Sequence, residues 1–189
     1  DWQGRAIAHL GTDAPLRMEW QDFNGDGQLE LLHATATHLR VFAGGGESLG
    51  VLLYEHRNPS APWVALARYS LDDGRGPRLL ALNAEGSLHH FAPGPGRWPF
   101  LRLQLSGAED AGEGMRSNRS GIGTRLNLRF GSHWTGMAML RGDSTPGHGL
   151  QPLTIGLAGA SKLDFVRLLW TDGVSQSELD LAAGQTHAI

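Results

Sequence analysis

The stretch that decides the fold is Asp22–Leu32, which reads DFNGDGQLELL. Oxygen-bearing side chains occupy its positions 1, 3, 5 and 9, and glycines occupy positions 4 and 6. A glycine permits the left-handed backbone conformation that a tight loop requires. Before the stretch, Leu16, Met18 and Trp20 alternate with polar residues, a period of two that is typical of half-buried strands. The sequence therefore predicts a tight acidic loop that joins two strands.

The acidic loop has the donor chemistry of a calcium site. Ca²⁺ takes about six to eight oxygen ligands, and crowded carboxylates repel one another unless a cation lies between them. His33 at position 12 excludes an EF-hand, which needs a glutamate there. The predicted ligands are the side chains of Asp22, Asn24, Asp26 and Glu30 and the backbone carbonyl of Gln28. We expect the ion to be structural, and the alternative is an Asx-rich turn that binds no metal.

The acidic loop belongs to an internal repeat, because Asp22–Leu32 realigns with Ser70–Leu80, SLDDGRGPRLL. Two repeats of roughly 50 residues, each with strand-length segments, predict two β-propeller-like blades at about residues 1–50 and 51–98. Two blades do not close a ring. The open edges must therefore be covered by the second half of the chain, by a partner, or by the remainder of a longer propeller.

The second copy of the loop has lost its predicted ligands. Ser70, Gly74 and Arg78 stand where the first copy has two aspartates and a glutamate. We expect this turn to bind no metal and to be held by an ion pair between Arg78 and Asp72 or Asp73, worth about 0.5 kcal/mol.

Residues 99–189 show no copy of the repeat and form the second predicted domain. Apolar residues alternate at Leu101–Leu105 and Leu126–Phe130, whereas Phe165–Trp170 is apolar on both faces apart from one arginine. We expect Phe165–Trp170 to be the most buried strand of this half and to lie centrally in its sheet. The fold class is therefore all-β: two propeller-like blades followed by a β-sandwich or jelly-roll-like domain.

Motifs in both halves resemble known families. The acidic loop followed by Leu31-Leu32 resembles the FG-GAP/VCBS repeat, a calcium-binding propeller blade. The second half resembles the ASPIC/UnbV domain at Ser117–Arg125 (SNRSGIGTR), Ile155–Ala158 (IGLA) and Val166–Gly173 (VRLLWTDG). The resemblance implies a secreted, extracellular or periplasmic adhesion, scaffold or binding module with no assigned chemistry.

Composition and motifs narrow the classes of function. The formal charge of -3 and the lack of a basic run argue against nucleic acid, and no apolar stretch reaches the ~20 residues that span a bilayer. Nucleophile motifs and cysteine are absent. We expect a non-catalytic extracytoplasmic interaction or scaffold subunit that docks on a larger protein assembly. The alternatives are a carbohydrate-binding module, with Trp134 as the ligand-binding residue, and a glycoside hydrolase with two hidden carboxylates.

Overall fold

The protein is built from β-strands. A computed structural model describes residue 10 and residues 13–58, 60–71, 73–107, 117–140 and 152–189. These residues form fourteen strands, arranged mostly in antiparallel sheets, and one short 3-10 turn at Gly46–Ser48. The predicted all-β fold class is confirmed, and the sheets are consistent with blades followed by a sandwich. The described part of the chain contains no helix with the length and apolar character needed to cross a membrane.

The first sheet is a four-stranded antiparallel meander. Its strands, in spatial order, are β1 (Pro15–Gln21), β2 (Glu30–Thr35), β3 (His38–Phe42) and β4 (Leu52–Arg57). The sheet extends past the predicted division at about residue 50, because the segment after β3 is only a hairpin loop. The Ala43 N–H donates to the Val51 carbonyl at 2.8 Å and closes that loop.

The second sheet has three described strands, β5 (Trp63–Ser70), β6 (Pro77–Asn83) and β7 (Leu88–Phe91). It packs face to face on the first sheet through a shared core. At the edge of that interface, Glu19 accepts ion pairs from Arg17 at 2.8 Å and from Arg68 of β5 at 2.6 Å. The inward face of β1 therefore carries Arg17 and Glu19, and the apolar Met18 points outward.

The second half is a two-layer sandwich. Its strands are β8 (Phe100–Gln104), β9 (Arg125–Phe130), β10 (His133–Ala138), β11 (Leu153–Gly156), β12 (Lys162–Leu169), β13 (Ser175–Ala182) and β14 (Thr186–Ala188). One layer has the order β10-β9-β12-β13 and the other β11-β8-β14. Apolar residues of both layers form the core between them.

Strand β12 lies centrally, as predicted, but only one of its faces is covered. Val166 and Leu168 are fully buried in the sandwich core, whereas Leu169 is 40% exposed. The prediction that both faces are buried is wrong because the second layer covers one side of the sheet only. Among the strands of the second half, β8 has the most complete burial, because Phe100, Leu101 and Leu103 are inaccessible to solvent.

Candidate metal centre

The predicted calcium ligands all lie at the turn from β1 to β2. Glu30 is the first residue of β2, and the other four precede it in the loop. The carboxylates of Asp22 and Glu30 are buried, with 6% and 3% exposure, while Gln28 is exposed. Two carboxyl groups are therefore held in the interior of a short loop.

The loop oxygens accept hydrogen bonds from backbone N–H groups. Asp22 accepts from Gly25 at 2.6 Å and Gly27 at 3.0 Å, and Glu30 accepts from Phe23 at 2.7 Å. Similar bonds to Asn24 and Asp26 make this an Asx-type turn. Among the described residues, no three His, Cys, Asp or Glu side chains are grouped to hold a metal ion. Binding an ion therefore requires some of these side chains to rotate from their backbone donors.

The electrostatics of the loop favour a positive charge. Burial, with a smaller contribution from Asp26, raises the pKa of Asp22 from 3.8 to about 6. Burial, together with repulsion by Asp22 and Asp26, raises the pKa of Glu30 from 4.5 to about 7. Backbone N–H groups oppose both shifts without cancelling them. A cation bound here would relieve the desolvation and the repulsion together.

The donor set fits a hard divalent cation. The predicted ligands are carboxylate, amide and carbonyl oxygens, which are the ligands Ca²⁺ prefers.

Arg97 lies close enough to Asp22 and Glu30 for their charges to act on one another. Burial and, to a smaller extent, Arg75 lower the pKa of Arg97, and the two carboxylates oppose part of that shift. Arg97 and Glu30 line one cleft of about 460 Å³ between the first and second sheets. Sequence analysis did not identify Arg97, which lies in a Pro- and Gly-rich segment.

The acidic loop packs against the second half of the chain. The Asn24 carbonyl accepts from the Trp98 N–H at 2.8 Å, and the Gly25 carbonyl accepts from the Ala158 N–H at 2.9 Å. Gly156 of β11 lies directly against the carboxylate of Asp22. The loop is thus a structural part of the junction between the halves, a role that sequence analysis missed.

The second repeat loop touches the same junction. The Phe100 N–H donates to the Gly74 carbonyl at 2.8 Å, and the Phe100 ring lies against Gly76. The Cε2 atom of the ring also lies near Gly25 of the acidic loop. Phe100 is therefore held between the two repeat loops.

The predicted ion pair of the second loop is confirmed, since Arg78 binds the carboxylate of Asp73. The alternative partner, Asp72, lies outside the described residues. We expect Arg78→Gln and Asp73→Asn to show a coupling energy of about 0.5 kcal/mol, because the carboxylate is partly exposed to solvent. Urea denaturation of the two single variants and the double variant measures it. A coupling of several kcal/mol would contradict this assignment.

Trp134 lies on β10 and is 62% exposed. Its indole ring meets the Phe165 ring edge-on, with centroids 6.0 Å apart, and the guanidinium of Arg129 lies 5.9 Å from its centroid. The residue is therefore accessible to a ligand, and it lies on the side of the sandwich that faces away from the core.

The fold and the loop define an all-β protein in which two meander sheets with an acidic turn are joined to a sandwich. Residues 114–189, which include β9 to β14, match the family model described as ASPIC and UnbV. The resemblance stated for this part of the chain is confirmed, whereas the FG-GAP/VCBS resemblance of the first half stays a prediction. A search of curated proteins found no match.

The ASPIC/UnbV motif residues at Ser117–Arg125 form a turn. Asn118 accepts from the Ile122 N–H at 2.8 Å and donates to the Ile122 carbonyl at 2.6 Å. The Ser117 hydroxyl donates to Asp172 at 2.7 Å. Gly121 faces Leu105, where a Cβ would lie 3.0 Å from the leucine Cβ. These contacts explain the motif as a requirement of folding.

Proposed function

We propose that this protein is a non-catalytic interaction or scaffold subunit of an extracytoplasmic assembly, with a structural Ca²⁺ in its acidic loop. The observation that carries the proposal is the exposed apolar edge of the first sheet. Val51, Leu52, Leu53 and Tyr54 in and before β4 are all about half exposed. Among the described strands, β4 pairs with β3 on one side only, so no described strand covers the backbone groups on its other side.

Strand β4 is suited to a protein partner. An apolar edge strand can accept a strand of another chain through backbone hydrogen bonds, while alternate side chains fill pockets. Monomeric proteins usually protect such edges with charge, proline or a covering segment. The partner is a larger protein assembly or the remaining blades of a propeller, since both would supply a strand or a sheet face.

Calcium is proposed as the ion that consolidates the junction. The loop carbonyls already bond to Trp98 and Ala158 of the second half, so fixing the loop also fixes the orientation of the sandwich. Extracellular modules bind calcium with a Kd of about 10⁻⁴ to 10⁻³ M, which suits a secreted, extracellular or periplasmic setting.

A thermal melt tests the calcium site. At free calcium tenfold above Kd, we expect a stabilisation of about 1.4 kcal/mol, which raises Tm by roughly 3–6 °C in a chain of this size. Differential scanning fluorimetry with calcium or with chelator measures the shift. The conservative variant Asp26→Asn should lose most of it, and equal melting of the wild type in both buffers would contradict the site.

The docking proposal is tested with a matched pair of variants. Three proteins are immobilised separately: the wild type, Leu53→Lys on β4 and Val64→Lys on β5. Both substitutions lie at half-exposed apolar positions. Each protein is then exposed to the extracytoplasmic fraction of the source cells. We expect a stoichiometric partner that is retained by wild type and Val64→Lys and lost with Leu53→Lys. Retention of no partner, or equal retention by all three proteins, would contradict docking through β4.

A second candidate function is carbohydrate binding. It is favoured by the exposed indole of Trp134, because a flat aromatic ring with a large apolar area can pack against the apolar face of a sugar. It uses the sandwich, and it does not require the acidic loop.

A further inference from the structure

The outer face of the sandwich sheet is ordered in three rows. Strand register places residues of β10, β9, β12 and β13 side by side across the sheet. Each row runs across four strands that lie about 4.8 Å apart, and successive rows are about 6.8 Å apart along the strands. The rows are Trp134–Arg129–Phe165–Leu179, Gly136–Asn127–Arg167–Ser177 and Ala138–Arg125–Leu169–Ser175. We call this set the outer face.

Each row of the outer face contains one arginine and no acid. Arg125, Arg129 and Arg167 are exposed and carry no ion pair in the described part of the chain. Among the described residues, the one hydrogen-bond acceptor of the Arg167 side chain is the hydroxyl of Ser175, at 3.0 Å. Arg40 and Arg68 on the blade sheets, by contrast, are each paired with a glutamate. The chain as a whole is negative, at -3, so this face concentrates positive charge, and no acid among the described residues forms an ion pair with it.

The outer face also exposes apolar surface beside these charges. Trp134 and Leu179, at the two ends of the first row, are 62% and 64% exposed. The Arg129 guanidinium near the Trp134 ring is arranged as in a cation–π pair, which orients both groups toward solvent. A guanidinium binds carboxylate or sulfate groups in a bidentate manner. The chemistry of the face is therefore that of a site for an anionic ligand with an apolar surface.

We propose that the outer face binds a linear acidic polysaccharide, with its sulfate or uronate groups on Arg125, Arg129 and Arg167 and one sugar ring packed on Trp134. The proposal names the ligand class for the carbohydrate-binding candidate and rests on that function. The spacing of one arginine per row along two central strands suits a polymer with repeated negative charges. The acidic loop and β4 take no part in it.

A single-stranded nucleic acid suits this face less well. Such a ligand needs successive aromatic rings for successive bases, whereas Phe165 is half-buried and its ring stands edge-on to Trp134. A sugar polymer requires one exposed flat ring and separate anion contacts, and the face provides both.

The test measures binding of defined polymers at low salt by isothermal titration calorimetry. The probes are polygalacturonate and dextran sulfate, with neutral dextran and oligo(dT) as comparisons. We expect binding to at least one acidic glycan and none to neutral dextran, so that the two acidic probes separate uronate from sulfate recognition. Tighter binding of oligo(dT), or no binding of either acidic polymer, would overturn the proposal.

Variants locate the binding on the outer face. Arg129→Gln and Trp134→Ala should each weaken binding on the order of tenfold, which corresponds to about 1.4 kcal/mol. Arg57→Gln, an exposed arginine on β4, is the matched control and should bind as wild type does. Equal affinity of all three variants would overturn the assignment. A thermal melt that coincides with that of the wild type shows that each variant is folded, and this control holds whether or not the acidic loop binds calcium.

Discussion

Replacing Gly156 by alanine is expected to destabilise the protein by about 3 kcal/mol, the upper range for adding a methyl group to a packed interior. The new Cβ would overlap the Asp22 carboxylate and lie 2.8 Å from the Gly25 Cα. Neither neighbour can move freely, since Asp22 is hydrogen-bonded to the loop backbone and Gly25 also contacts Trp98. The substitution should therefore separate the acidic loop from the sandwich. Urea denaturation followed by tryptophan fluorescence measures the loss.

The matched control is Gly136→Ala on β10. A Cβ there would have its nearest neighbours at 3.7 and 3.8 Å, which is ordinary contact. We expect a change within about 0.5 kcal/mol for this surface position. If the two alanine variants proved equally stable, the close packing of Gly156 against the loop would be refuted.

The stability of the calcium-free protein should fall as the pH rises from about 4 to about 7. Folding raises the pKa of Asp22 from 3.8 to about 6 and that of Glu30 from 4.5 to about 7. In this interval the folded state therefore holds more protons than the unfolded chain, and removing them favours unfolding. The stability that protonation supplies is complete below the unfolded pKa values and is lost as the pH passes the folded ones. The expected loss is a few kcal/mol.

The comparison that isolates this effect is wild type against Glu30→Gln, both in chelator, by urea denaturation at several pH values. Glutamine cannot titrate, so the variant should lose less stability than the wild type as the pH rises. If calcium binds at the proposed site, saturating calcium should also reduce the loss, because the ion would compete with protons for the same oxygens. Parallel pH profiles for wild type and variant in chelator would show that Glu30 does not carry the effect.

Alternation of apolar residues predicted strands well but did not always predict their inner face. On β9 the prediction is correct, since Leu126, Leu128 and Phe130 all point into the sandwich core. On β1 the inward residues are Arg17 and Glu19, because they complete an ion-pair chain with Arg68 of β5. Polar partners that lie far along the chain are invisible to a local pattern.

The acidic loop was predicted at the correct place between two strands, but its neighbours were not. The residues that hold it, Trp98 and Ala158, are remote in sequence, and they contact it through backbone groups, whose role a side-chain pattern does not reveal. Gly156 belongs to the ASPIC/UnbV-like motif at Ile155–Ala158, yet a glycine in a sequence does not indicate which side chain lies against it. The pair Arg78–Asp73 was predictable because opposite charges stood within a single turn.

Strand β8 also determines which piece of the chain can be exchanged as a unit. The family match begins at residue 114 and leaves β8 out, although β8 is the middle strand of its sheet. Leu101 and Leu103 of β8 pack in the sandwich core, while Phe100 contacts the two loops of the preceding repeats. A recombinant fragment cut at the start of the match would thus lose the centre of one layer. An evolutionary transfer of this module would have to include β8, and the contacts of Phe100 would then require two compatible preceding sheets with their turns.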